Sequence, residues 1–321
     1  MECKESNRKT MKKLPNTIIN FHKIYDKEWM ESVFLFLSNI YNVVSLYDIE
    51  SYYYHNKQLH NCCHITFDDG DISFYTIVFP LLKKMKLPVS IYVSPKIAKT
   101  GENFWFQEIR NYNQEVLRSI IYNKYPNLKQ KNQKIPLSAI FKSLQLEQIW
   151  EIINEYRSFM KIDAEKRMNM SVDELKEVYN SGLVAIGAHT QNHPILANET
   201  EMAAQKEIES SILELNSILG IQVRSFAYPN GIPQIDFGKR EMNLLKANNI
   251  RLAFSTENKS FKIKDNPLSI PRNGLSKGNK SFLFFKLLMG SKWEKIKKLC
   301  YGKQEADYRK EIRDIIIKNN I

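Results

Sequence analysis

Short apolar runs and longer stretches with helical spacing alternate along most of this chain. Thr17-Ile18-Ile19-Asn20-Phe21-His22 reads as a first strand that ends on a histidine. Glu28–Tyr41 follows with apolar residues at helical intervals (Trp29, Val33, Phe34, Leu37, Ile40). Val43–Leu46 predicts a short second strand, and Tyr52–His55 a polar, aromatic connection at the surface. The run Cys63-His64-Ile65-Thr66-Phe67 is β-branched and aromatic, as a buried strand requires. Phe74–Lys86 is amphipathic, and Pro88 precedes the strand Val89–Val93. That is a strand–helix–strand unit, the building block of parallel α/β architecture.

Between residues 104 and 170 the pattern becomes helical throughout and mixed in charge, which predicts a helical insertion opened by Phe104-Trp105-Phe106. Regularity returns at Ser171-Val172-Asp173-Glu174, a capping box that starts a helix running to about Ser181 and stopping at Gly182. The strand Leu183–Ala188, the helix Glu199–Leu219, the strand Arg224–Tyr228, the helix Phe237–Ala247 and the strand Leu252–Ser255 follow. A short strand at Leu268–Ile270 leads into Pro271-Arg272-Asn273. The fold class is α/β, with about seven strands alternating with helices.

Composition narrows this picture in a few places. A chain of 321 residues, 43% hydrophobic and 12% aromatic, can build one large α/β barrel or two smaller domains. Four cysteines, with Cys62 and Cys63 adjacent, make no disulfide framework, so a reducing, cytoplasmic setting is expected. Residues 1–16 form a basic, polar tail without the apolar stretch of a secretory signal, and nothing is long and apolar enough to span a membrane. The net charge of +12 is uneven: residues 262–321 hold 15 Lys/Arg against 6 Asp/Glu, a net +9. Such a segment suits nucleic acid, an anionic membrane or an acidic substrate, and equally a solvated face. No nucleic-acid recognition module accompanies it, so nucleic acid is not expected. The stretch Phe282–Cys300 mixes aromatic residues with lysines, as in a helix lying in a membrane interface or one packed on the protein with a basic outer face.

The chemistry concentrates at two strand ends. Asp68 and Asp69, followed by Gly70, close the run that ends at Phe67. Adjacent carboxylates repel and stay ionised only beside a cation or donor, although Asp-Asp-Gly is also ordinary turn chemistry. His189 and His193, four apart in His189-Thr190-Gln191-Asn192-His193-Pro194, close a second strand. Two imidazoles at that spacing reach one ion if the segment turns tightly. In α/β folds, active sites gather where strands end at the carboxyl edge of the sheet.

Thr66–Gly70 and His189–His193 resemble the first two motifs of the polysaccharide deacetylases (the NodB-like deacetylases, carbohydrate esterase family 4). Arg224-Ser225-Phe226-Ala227-Tyr228-Pro229-Asn230-Gly231 resembles the third. The resemblance covers about residues 17–275 and implies a distorted (β/α) barrel, with 276–321 as a basic helical extension. It implies that Asp69, His189 and His193 hold a divalent metal, most simply Zn²⁺, with Co²⁺, Ni²⁺ or Fe²⁺ also admitted by such ligands. Asp68 is then the general base, Thr190 orients the histidine loop, and the backbone N–H of Asn230 faces the oxyanion. Tyr228 and Pro229 are the expected substrate-binding residues, and Trp105 either lines the substrate groove with them or anchors the insertion as a hydrophobic residue.

Two departures qualify the likeness. Many members carry an arginine in the third motif that holds the catalytic aspartate; Ala227 stands there, and Arg272 is the candidate replacement. No histidine follows His193, so the family's late general acid is missing; His22 or a metal-bound water is the candidate for its role, with a structural His22 the alternative. The expected activity is metal-dependent removal of an N-acetyl group from an acetamido sugar of a glycan or lipid-linked intermediate. The alternative is a carbohydrate-binding barrel that keeps the metal site with little or no turnover.

Overall fold

The computed structural model describes residues 14–129, 135–275, 277–290 and 303–319, with 292, 293, 296 and 299 between the last two. Most of the expected N-terminal tail, and part of the 282–300 stretch, lie outside these residues. Eight parallel strands are present among them: β1 (Thr17–Phe21), β2 (Asn42–Val43), β3 (Cys62–Phe67), β4 (Val89–Val93), β5 (Val184–Ala188), β6 (Ser225–Ala227), β7 (Leu252–Phe254) and β8 (Asn273–Gly274). Seven follow the order β7-β6-β5-β4-β3-β1-β8, and β2 pairs with β3 beside them. The sheet is curled into a distorted (β/α) barrel. β1, β3 and β4 are buried along their whole length. Apolar packing covers both faces of the sheet, so the strands read as continuous apolar runs. A large cluster (Ile19, Ile65, Ile91, Phe226 and the helices' inner faces) lies on one side, and a smaller one (Ile18, Tyr92, Phe254, Ile270) on the other.

The last strand differs from expectation. Leu268–Ile270 is not a strand; Ile270 makes one bridge to Phe254 of β7, and Asn273–Gly274 pairs with β1. Residues 270–274 therefore tie the two outer strands together and carry Arg272 between them. Another correction is local: Ser45 accepts from Asp48 N while Asp48 accepts from Ser45 N, a capping box that starts the helix Leu46–Tyr54. That box ends β2 at Val43 and makes Tyr52–Tyr54 the last turn of a helix. The helix after β3 opens with a π turn at Phe74–Val78 before Phe79–Met85, because Pro80 has no N–H to donate to the turn before it.

The insertion contains helices Gln114–Lys124, Leu137–Phe141 and Leu146–Met160 and has a core of its own. Ile312, from the last helix Glu305–Asn319, is buried in that core. The helix Lys280–Met289 buries Leu283 and Leu287 in the main core and leaves Phe285 and Leu288 exposed. Its inward face favours the packed reading of this segment over a membrane-lying one. No helix among the described residues is long and apolar enough to cross a membrane.

Candidate active site

Parallel strands all finish at one edge, so residues distant in sequence meet there. Asp68 N donates to Phe21 O (3.0 Å), extending β3 along β1. The chain then turns through Asp69 (φ 72°) and Gly70 (φ 73°). A Cβ on Gly70 would stand 3.1 Å from Val93 Cγ1, so the turn needs glycine both for its backbone and for space.

Asp68 is 4% exposed and held from several sides. Arg272, fully buried, donates to its two oxygens at 2.7 and 2.8 Å, a bidentate pair. Asn20 donates to Oδ2 at 2.9 Å, and His22 Nε2 lies 3.9 Å from the same oxygen. Burial pushes the Asp68 pKa up, but the charges of Arg272 and the His189 imidazole outweigh it and hold the carboxyl below its ordinary range. Arg272 thus gives Asp68 the guanidinium partner that Ala227 cannot supply. Asn20 was missed in the sequence, although a lone amide in the run Thr-Ile-Ile-Asn-Phe is itself a signal.

Asp69 Oδ1 lies 3.5 Å from Nε2 of both His189 and His193. His189 Nδ1 is 2.6 Å from Ala227 O; a carbonyl only accepts, so Nδ1 donates there and Nε2 is the ring nitrogen turned toward Asp69. The three residues are buried, with ligand atoms within 4.8 Å of one another. Ligand atoms at about 2.1 Å from a shared tetrahedral ion stand about 3.4 Å apart, so the spacing fits a divalent metal. Asp69 Oδ1 is also buried without a hydrogen-bond partner, which a carboxylate oxygen avoids unless a cation serves it. Burial raises the Asp69 pKa, but the facing imidazoles of His189, His22 and His193 bring it far below the usual range. Burial and the neighbouring His189 push His193 down to about 3, a neutral imidazole fit to be a ligand.

The histidine loop is strained and clamped. Thr190 (φ 63°) and His193 (φ 56°) lie in the left-handed region, a costly one for a β-branched residue. Thr190 Oγ1 donates to His189 O at 2.5 Å and accepts from His193 N at 3.0 Å, closing the loop on itself. Glu207, from helix Glu201–Leu219, accepts from the backbone of Gln191 (3.0 Å) and Asn192 (2.9 Å). Trp105 is 3% exposed and donates to His193 O at 3.1 Å. Its ring is packed in the insertion's core, which agrees with the anchor reading, and its N–H supports the loop. The rings of Phe104 and Phe106 lie 5.4 and 4.9 Å from the His193 ring.

The third-motif loop after β6 is held in a similar way. Tyr228 is 1% exposed, stacks on Phe237 and donates to Leu268 O at 2.8 Å; Pro229 is buried as well. Neither side chain reaches open space, so their expected contact with substrate is not what this structure provides. Asn230 has φ 58° and donates from Nδ2 to Asp236 at 2.5 Å. A cleft of about 610 Å³ opens beside the Asp68 end of the site. Asn20, His22 and Arg272 line it from the barrel, and Lys286, Gln304 and Asp307 from the C-terminal segment.

Residues 55–253 match the polysaccharide deacetylase family. The chain belongs to that family. The search of curated protein sequences found no match. Among solved structures it is similar to a Streptococcus pyogenes deacetylase, PplD, in complex with acetate: 15% identity over 86% of this chain and 98% of that one, TM-score 0.56. IcaB from Ammonifex degensii gives 17% identity, 86% and 97% coverage, and TM-score 0.56. A de-N-acetylase from Aggregatibacter actinomycetemcomitans gives 17%, 84% and 99%, and 0.55. At these identities the likeness is one of fold. β1 with His22, the Arg272 segment and the helices Lys280–Met289 and Glu305–Asn319 lie outside the family match.

Proposed function

We propose that this protein is a hydrolase that removes the N-acetyl group from an acetamido sugar of a glycan or a lipid-linked glycan intermediate in the cytoplasm, using a divalent metal, most simply Zn²⁺. The observation that carries the reading is one juxtaposition: a carboxylate gripped by a buried arginine beside an Asp-His-His group at the carboxyl edge of a deacetylase-family barrel. The structural neighbours whose names are deacetylase or de-N-acetylase support it. Cys62 and Cys63, both buried and unbridged, agree with a reducing compartment.

Asp69, His189 and His193 would hold the metal, which when bound lowers the pKa of water and polarises the amide carbonyl. Asp68, kept ionised by Arg272, takes the proton of the attacking water. The backbone N–H of Asn230 is the donor toward the carbonyl oxygen as negative charge develops there. His22 lines the cleft, half exposed, and gives a proton to the leaving nitrogen. Water adds to the carbonyl carbon, the C–N bond breaks, and acetate and a free amine leave.

The test is acetate release from N-acetylglucosamine oligomers, nucleotide sugars and lipid-linked acetamido sugars, with and without chelator. Release that chelator abolishes, Zn²⁺ or Co²⁺ restores and Asp68→Asn lowers by about 10²-fold or more is expected. An unchanged rate in His22→Ala removes that residue from the mechanism. Tight metal binding with no release from any substrate favours the binding barrel instead.

A further inference from the structure

The chain beyond Leu275 lies outside the family match, yet it reaches the third-motif loop at one buried point. Arg309, on helix Glu305–Asn319, is fully buried and paired with Asp236, whose side chain is equally covered. The pair uses Asp236 Oδ1. The other oxygen accepts from Asn230 Nδ2 (2.5 Å) and Ile232 N (2.7 Å). One turn further along the helix, Arg313 donates to Ile235 O at 2.8 Å. The same helix is anchored on the insertion through Ile312 and the Lys142–Glu305 ion pair (2.9 Å).

We infer that Arg309 is a positioning residue for the reaction: through Asp236 it fixes the left-handed Asn230 whose backbone N–H faces the reacting carbonyl. A buried ion pair contributes little net stability over an apolar pair, so orientation is what such a pair supplies here. Asp236 receives two donors from the loop on one oxygen; its other oxygen needs Arg309 for the carboxylate plane to stay aimed at them. The C-terminal helix, anchored on the insertion and walling the cleft, is thereby part of the catalytic unit. This rests on the deacetylase reading, in which Asn230 serves the oxyanion.

Two measurements separate the inference from that reading. With a substrate the wild type turns over, Arg309→Met and Asp236→Asn are each expected to lower kcat about tenfold or more. KM changes less than twofold and metal content stays unchanged, since the lost interaction is realised in the transition state. Arg309→Lys recovers part of the rate, and Arg309→Met/Asp236→Asn loses no more than Asp236→Asn alone. The double variant removes both charges, so it stays testable if Arg309→Met folds poorly. Unchanged kcat, additive losses, or a loss that follows metal content overturns the inference. If the wild type releases no acetate, hydrogen exchange decides: Arg309→Met, or the double variant, should speed exchange across 229–237 and leave 189–193 as it was. Unchanged exchange across 229–237 overturns it whatever the activity.

Discussion

Arg272→Met should damage stability and activity together, by amounts that follow from the contacts of one side chain. The guanidinium is 0% exposed and donates to both Asp68 oxygens, to Asn20 Oδ1 (3.2 Å), to Thr66 Oγ1 (3.2 Å) and to Ser255 O (3.1 Å). It also lies against the Tyr92 and Phe254 rings, with centroids 5.7 and 5.9 Å away. Removing one partner of a buried ion pair costs about 3–5 kcal/mol, because the other is left charged in a low-dielectric site. The orphaned Ser255 carbonyl adds to the same loss, so about 4 kcal/mol is a fair central value. At about 2 °C per kcal/mol for a large domain, the thermal midpoint should fall by about 8 °C at pH 7. Activity should fall by about 10²-fold or more, the usual size of a general-base contribution, because Asp68 loses both its orientation and the charge that keeps it ionised. Arg272→Lys keeps the charge without the two-pronged grip and should lie between.

Circular dichroism melts and acetate release measure both effects on the same preparations. Asp68→Asn combined with Arg272→Met should unfold at a higher temperature than Arg272→Met alone, since the stranded charge is gone. A midpoint within about 2 °C of wild type for Arg272→Met, or additive losses in the double variant, would refute the view that this pair organises the site.

Two further outcomes follow from buried groups elsewhere. His64 donates from Nδ1 to Val44 O and accepts at Nε2 from Ser90 Oγ, both at 2.8 Å, and burial lowers its pKa from 6.5 to about 4. The unfolded chain therefore binds a proton that the fold refuses between about pH 6.5 and 4. His64's contribution is fully present above pH 6.5 and is lost as pH falls through 4, about 3 kcal/mol in all. Urea unfolding at pH 7 and 4.5 should show that loss, and His64→Gln should flatten it; equal slopes in both proteins would sink the assignment. Gly187→Ala should cost about 1–3 kcal/mol, because the new Cβ would lie 2.4 Å from the Tyr92 ring and 2.6 Å from Ser225 Oγ. A melt unchanged from wild type would show that this part of the barrel gives way.

Much of the barrel was legible because each local signal agreed with the global fold. The Ser171–Glu174 capping box starts the helix Val172–Asn180, and the apolar runs before Asp68 and His189 are buried strands. Parallel strands then bring their ends together without further instruction. What the sequence hid was orientation and long-range pairing. Trp105, Tyr228 and Pro229 have the composition of a sugar-binding wall, but residue type does not say which way a ring faces, and both rings are packed inward. Arg309 lies in a segment whose net charge reads as a solvated face, and its partner Asp236 is 73 residues earlier. No local pattern marks such a pair.

Strain at the site leads to the same residues by another route. Asp69, Thr190, His193 and Asn230 all have positive φ, and none is glycine. Each such conformation costs on the order of 1–3 kcal/mol and persists only where its surroundings over-determine it. The surroundings here are specific: Thr190's own hydroxyl and Glu207 hold the histidine loop, while Asp236 and Thr256 hold Asn230. The motif residues are therefore only half of what defines the site. The clamps fix the backbone that the chemistry depends on, and one of them, Asp236, is itself fixed from outside the part of the chain that the family match covers. A barrel cut after Leu275 would keep every motif residue and lose the contact that Arg309 makes with the third loop.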